Sequence, residues 1–214
     1  MKKIFLLTMF ILLFTVGCSN IKNDSIENII NTKTSANYGN KVVNIYHRGY
    51  QYYLPKKMNV QRINDTNEIV TSDKYTYYLY LDLVSVIEGT TLPFEEEGNL
   101  YKNYKFSYKD LNGYLKIKEI EKYYLVEIMY NYAKIEVIVE YEDLNEIINN
   151  SITILSTIKY NKDIITNLME EDLLNYKDES LNLFDKVTNQ DNFIRYEEQY
   201  ADYEEEIPDY DIIN

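Results

Sequence analysis

An α+β fold, an antiparallel β-sheet (a meander) covered by one or two amphipathic helices, is predicted by three observations. Short runs with two-residue alternation recur from Val42 to Val139, turn signals separate them, and the strongest helical period follows only afterwards, from Asp143 to Ile158. Strands grouped first and helices later fit this class better than an alternating parallel fold does. The chain has 214 residues, 45% of them apolar, which suits one domain with appendages.

The N-terminal segment stands outside that domain. Lys2 and Lys3 precede an apolar run from Ile4 to Val16, and Gly17 and Cys18 follow, in the order of a secretory signal. The run is short of the roughly 20 residues that span a bilayer, so cleavage is expected. Thr15-Val16-Gly17-Cys18-Ser19 resembles the bacterial lipoprotein lipobox, with Thr15 where Leu is commonest. This resemblance implies that residues 1–17 are removed as a signal peptide. It also implies that Cys18 becomes a palmitate-bearing N-terminus, which holds the protein on the extracytoplasmic side of the cell membrane. Residues 18–40, with six Asn after Cys18 and no sustained period, read as the lipidated N-terminus and a flexible tether, within which Ile26 to Ile30 allows a short helix. A coil of that length spans about 25 Å.

Residues 41–187 form the expected domain. Tyr50 to Leu54 reads as a strand stopped by Pro55, and Tyr75 to Val84 as the clearest strand, with Tyr77, Leu79 and Leu81 on one face. Gly89, Pro93 and Gly98 around the acidic triplet Glu95 to Glu97 mark a long loop. Asp110-Leu111-Asn112-Gly113 signals a hairpin turn rather than a calcium loop, because the downstream acid is missing. Strands are expected at Tyr114 to Ile120, Tyr123 to Tyr130 and Ala133 to Val139, with one face wet. Leu144, Ile147, Ile148, Ile152, Leu155 and Ile158 then repeat at helical spacing, with Asp143 and Glu146 in capping-box positions. Further helical patterns run from Asp163 to about Asn175 and from Glu179 to Val187. The acidic C-terminal segment, 188–214, reads either as a polyanionic tail or as a helix over Asn192 to Glu206 carrying Phe193, Tyr196, Tyr200 and Tyr203.

Taken together, Tyr50 to Met58, the antiparallel strands and the late helix resemble the PsbP-like fold, which includes envelope lipoproteins of the DcrB type. The resemblance implies a helix-covered sheet and a binding or assembly role, and it transfers no site residue.

Chemistry narrows the function further. Against 22 basic residues stand 35 acids, a formal net of −13, which removes the attraction that drives nucleic-acid binding. Loss of Lys2 and Lys3 with the leader takes it to −15. One Cys and one His leave no disulfide and no Cys/His zinc set, and no phosphate-cradling glycine motif is present. No cofactor, metal or catalytic residue is therefore expected. His47 reads as a surface side chain in an edge strand. An envelope enzyme acting on glycans with Glu127 or Asp82 as acid or base is the alternative, set against salt-bridged positions beside Lys116, Lys118 and Lys134. The 24 tyrosines offer the remaining feature, and a candidate interaction patch lies around Tyr77, Tyr78 and Tyr80 or around Tyr123 and Tyr124. The expectation is a lipid-anchored extracytoplasmic protein with a non-enzymatic role, bound to the membrane through Cys18 and to a protein or envelope component.

Overall fold

The structure, a computed structural model, describes residues 25–35, 41–90, 94, 98 and 100–174. It is an α+β fold built on antiparallel sheet. In chain order the elements are α1 (Ile26–Ser35), β1 (Ile45–Tyr46), β2 (Tyr50–Tyr52), β3 (Asn59–Arg62), β4 (Asn67–Thr71), β5 (Thr76–Leu81) and α2 (Leu83–Glu88). Then come β6 (Lys102–Tyr108), β7 (Leu111–Ile120), β8 (Tyr123–Tyr130), β9 (Ala133–Val139), α3 (Leu144–Thr157), β10 (Lys159–Tyr160) and α4 (Lys162–Glu170).

Seven strands make the main sheet in the order β3-β4-β5-β9-β8-β7-β6. It is two meanders joined where β5 pairs with β9, with Tyr77 opposite Val137 and Leu79 opposite Ile135. One row across the sheet therefore runs Leu79, Ile135, Ile128, Leu115, and its neighbour runs Val70, Tyr77, Val137, Val126, Ile117. These side chains are buried under α3, whose Leu144, Ile147, Ile148, Ile152 and Leu155 supply the facing layer. Burying a Leu or Ile of this kind contributes about 1.5–3 kcal/mol, so the two rows and the helix stripe carry most of the driving force. A small sheet, β1-β2-β10, sits at the rim.

The strands β8 and β9 and the helix α3 lie where the alternation and the helical period put them. Other elements differ. Asp143 makes no side-chain cap on α3, because its Oδ2 accepts from Lys74 Nζ at 2.6 Å and from the Tyr75 hydroxyl at 2.6 Å instead. The strand expected to reach Val84 stops at Leu81, since Asp82 caps α2 by accepting from Ser85 N at 3.0 Å. The β6–β7 turn falls at Lys109 and Asp110, and Gly113 lies inside β7. A Cβ at Gly113 would meet the Phe106 ring at 2.6 Å and the Met129 carbonyl at 2.7 Å, so close approach rather than turning requires glycine there.

The largest correction concerns the tether. Residues 26–35 are not coil but α1, which buries Ile29, Ile30 and Thr34 against the core. Ile26, Ile29, Ile30 and Lys33 recur at helical spacing, and Asn28 N donates to Ser25 Oγ at 3.3 Å at its start. Cys18, the pattern from Glu179 to Val187 and the acidic segment 188–214 lie outside the described residues.

Candidate functional site

The core face, the opposite sheet face and the strand ends each gather polar or aromatic side chains. They differ in what another molecule can reach.

On the core face, β2 and β4 build a buried polar knot that the sequence reading missed. Glu68 is 0% exposed; Oε1 accepts from the Tyr50 hydroxyl and Oε2 from the Tyr52 hydroxyl, each at 2.5 Å. His47 Nε2 lies 2.8 Å from Oε1, without the direction of a regular hydrogen bond. His47 is thus not the surface side chain expected, for its ring packs beside Tyr50 at 4.9 Å. Burial pushes the Glu68 carboxyl up, but the contacts from His47, Tyr50 and Tyr52 outweigh it and hold the group below the usual carboxylate value. Burial, followed by the Glu68 charge, raises both tyrosine hydroxyls. A carboxylate this enclosed joins the small sheet to the large one and offers no face to a substrate. The signal in the sequence was positional: Glu68 alternates in register with Val70, on an inward position where an acid needs partners.

The opposite sheet face carries Glu127, Lys134 and Glu136. It is not wet at these positions, where all three side chains are buried. Glu136 faces Glu127 across β9 and β8; Lys134 Nζ lies 2.9 Å from Glu136 and 3.6 Å from Glu127. Burial lifts the Glu136 carboxyl to about 7, with Glu127 adding to the rise and Lys134 opposing it. Lys116 stands opposite Glu127 on β7 and lies over the rings of Phe94 and Tyr114. The other sequence candidate, Asp82, does not join this group. Its Oδ2 accepts from Ser85 Oγ at 2.6 Å beyond the end of β5, two strands and several residues from Glu127, about 16 Å in sheet spacings.

Neither set of tyrosines read from the sequence lies on one face. Tyr77 is 0% exposed in the core, whereas Tyr78 and Tyr80 are on the other face of β5. Tyr123 and Tyr124 likewise point to opposite faces of β8. Tyr124, however, is the centre of a different group. Its ring lies 5.1 Å from Tyr101 and 5.6 Å from Tyr141, and those two are 6.3 Å apart with their planes nearly perpendicular. Tyr101 precedes β6, Tyr124 is the second residue of β8, and Tyr141 follows β9. The antiparallel register therefore brings all three to one end of the second meander.

This cluster is open to solvent, with Tyr101 47% and Tyr141 58% exposed. Acids stand around it: Glu119 pairs with Tyr124 across β7 and β8 and lies 3.4 Å from its hydroxyl, and Glu121, Glu140 and Glu142 are exposed nearby. Interaction with the Tyr141 hydroxyl, with some burial, raises the Tyr101 phenol, and burial with the Glu119 charge raises that of Tyr124. The Tyr101 and Tyr124 hydroxyls thus stay protonated as hydrogen-bond donors. Exposed ring faces beside carboxylates suit a cationic group, which gains about 0.5–1 kcal/mol over each ring at an exposed site.

Among the described residues no cluster of His, Cys, Asp or Glu is placed to hold a metal ion, and no helix is long and apolar enough to cross a membrane. Comparison with protein-family models, curated proteins and solved structures found no match.

Proposed function

We propose that the protein is a membrane-anchored, extracytoplasmic lipoprotein with a non-enzymatic binding role in the cell envelope. The observation that carries this reading is the ordered leader, Lys2-Lys3, the apolar run, Gly17 and Cys18, with lipid on Cys18 as anchor. Binding is assigned to the Tyr101, Tyr124 and Tyr141 surface, and the partner chemistry that fits is a protein segment bearing Arg or Lys. Rings supply area at low entropic cost, and the surrounding carboxylates select positive charge.

The glycan-enzyme alternative would now rest on Glu127 and Glu136, one of them with a carboxyl near 7. Glu136 is 0% exposed and its carboxylate is engaged by Lys134, so a sugar cannot touch it without breaking the sheet face. The binding reading is the better supported of the two.

Pull-down of the mature domain from detergent-solubilised membranes tests the proposal, with Tyr101→Ala/Tyr141→Ala as the comparison. A partner retained by the parent chain and lost from the variant is the expected result. Equal retention by both would remove the tyrosine surface from the account.

A further inference from the structure

Helix α1 fixes where the N-terminal part of the chain leaves the domain. Glu27 forms an ion pair with Lys102 at the start of β6, and the Tyr104 hydroxyl, two residues further along, donates to Asn31 Oδ1 at 3.2 Å. Four helical residues rise about 6 Å and two strand residues about 6.6 Å. The two contacts therefore stay in step, α1 runs alongside β6 in the same direction, and Ser25 comes level with Tyr101. The helix is held there by Ile29 and Ile30, which are buried in the core.

The chain thus departs at Ser25, from the end of the sheet that carries the tyrosine cluster. Without α1 the departure point would be Lys41 and the tether more than 20 residues long. With it, only seven steps separate Cys18 from Ser25. Seven residues reach at most about 25 Å extended, and about 15 Å as a coil.

We propose that the Tyr101, Tyr124 and Tyr141 end of the sheet is the face turned toward the bilayer, held just above the lipid headgroups. This rests on lipid attachment at Cys18 and adds to it a direction. Insertion into the lipid is opposed by the local charge. Glu27, Glu119, Glu121, Glu140, Glu142 and Asp143 stand around the cluster with Lys74, Lys102, Lys118 and Lys122, while Lys56 and Lys57 lie at the same end but across the sheet beside β3, and the surplus of acids beside the rings is repelled by anionic headgroups at about 1 kcal/mol per charge. The cluster therefore stands over the membrane rather than in it. Whatever binds there meets it within about 25 Å of the headgroups, as a protein seated in the same membrane does.

The chain has no Trp, so single-Trp variants read position directly. Tyr101→Trp and Tyr141→Trp mark the near end and Tyr108→Trp the far end of β6, about 23 Å away. The lipidated proteins are reconstituted in vesicles containing dansyl-phosphatidylethanolamine, and energy transfer from Trp to the dansyl lipid is measured. Transfer from Trp at 101 and 141 at least twofold greater than from Trp at 108 is expected. Equal transfer, or the reverse order, overturns the proposal. If the N-terminal peptide carries no lipid, attachment at Cys18 fails separately. The same order is then expected from chains beginning at Cys18 and coupled through its thiol to a maleimide lipid, and equal transfer there overturns the orientation by itself.

Discussion

Replacing Glu68 by Gln keeps the shape of the buried knot and removes its charge. In the parent chain two tyrosine hydroxyls donate to the carboxylate at 2.5 Å and His47 lies 2.8 Å away. Hydrogen bonds to a charged acceptor are worth about 1.5–3 kcal/mol and neutral ones about 0.5–1.5, so neutralising two of them costs roughly 2–3 kcal/mol. The amide nitrogen also faces a hydroxyl that must turn to accept from it. Against this stands relief of burying a charge, an effect of several kcal/mol. The direction of the Glu68 shift decides between them: its carboxyl titrates below the usual value despite burial, so in the fold the charged form is favoured over the neutral one. We expect Glu68→Gln to be less stable by about 1–3 kcal/mol at neutral pH in urea denaturation, with an unchanged slope. Stability supplied by a depressed carboxyl is present above its ordinary value of 4.5 and is lost as pH falls through the lower folded value. The gap between parent and variant should therefore shrink as pH falls below about 4.5. A variant as stable as the parent at neutral pH, or a gap that widens in acid, would refute the reasoning.

Glu136 has the opposite sign. Its carboxyl is raised from 4.5 to about 7, so its contribution to stability falls as pH rises between those values, and Glu136→Gln should remove that fall from the pH profile of unfolding. Gly113→Ala places a methyl against the Phe106 ring and the Met129 carbonyl, and should cost about 1–3 kcal/mol in thermal or chemical unfolding. Shortening the ring partner in Gly113→Ala/Phe106→Leu relieves only the ring contact, so partial recovery is expected. Ile30→Ala empties a fully buried site and should cost about 2–5 kcal/mol; no loss would mean that α1 is not part of the core. Tyr141→Ala, at an exposed position, should change stability by less than about 1 kcal/mol while weakening partner binding.

How far the sequence reached depends on whether local pattern or long-range register made each feature. Ala133 to Val139 is rich in β-branched residues and alternates, and Tyr123 to Tyr130 is bounded by turn residues on both sides, so β9 and β8 were legible residue by residue. The stripe of α3 was legible for the same reason. Strands β3 and β4 were not, because Asn59 to Arg62 is mostly exposed edge and Glu68 takes an inward position in β4 that a pattern of apolar residues leaves out. Strand β6 alternates Tyr104 and Phe106 with Asn103, Lys105 and Ser107, but the acidic, glycine-bearing sequence before it obscures its start. Helix α1 was legible only as a short helix over Ile26 to Ile30, because its Asn, Ser and Thr content conceals its length and its stability comes from Ile29 and Ile30 packing on the core rather than from propensity. The tyrosine surface was the least legible feature. Tyr101, Tyr124 and Tyr141 are far apart in sequence and meet only because β6, β8 and β9 place those ends together. Tyr124 alone belonged to either set read from the sequence. Tyr77, one residue from Tyr78, lies on the buried side of the same strand.

Lipid on Cys18 is what would hold the domain at the membrane and set its orientation there. Membranes from cells making the parent chain or Cys18→Ala, washed at high salt and followed by mass analysis of the N-terminal peptide, test it directly. A parent chain retained in the membrane, beginning at Cys18 with added lipid mass, and a variant released from it, are the predicted results. A parent peptide without lipid, or a Cys18→Ala chain that stays in the salt-washed membrane, would contradict the account.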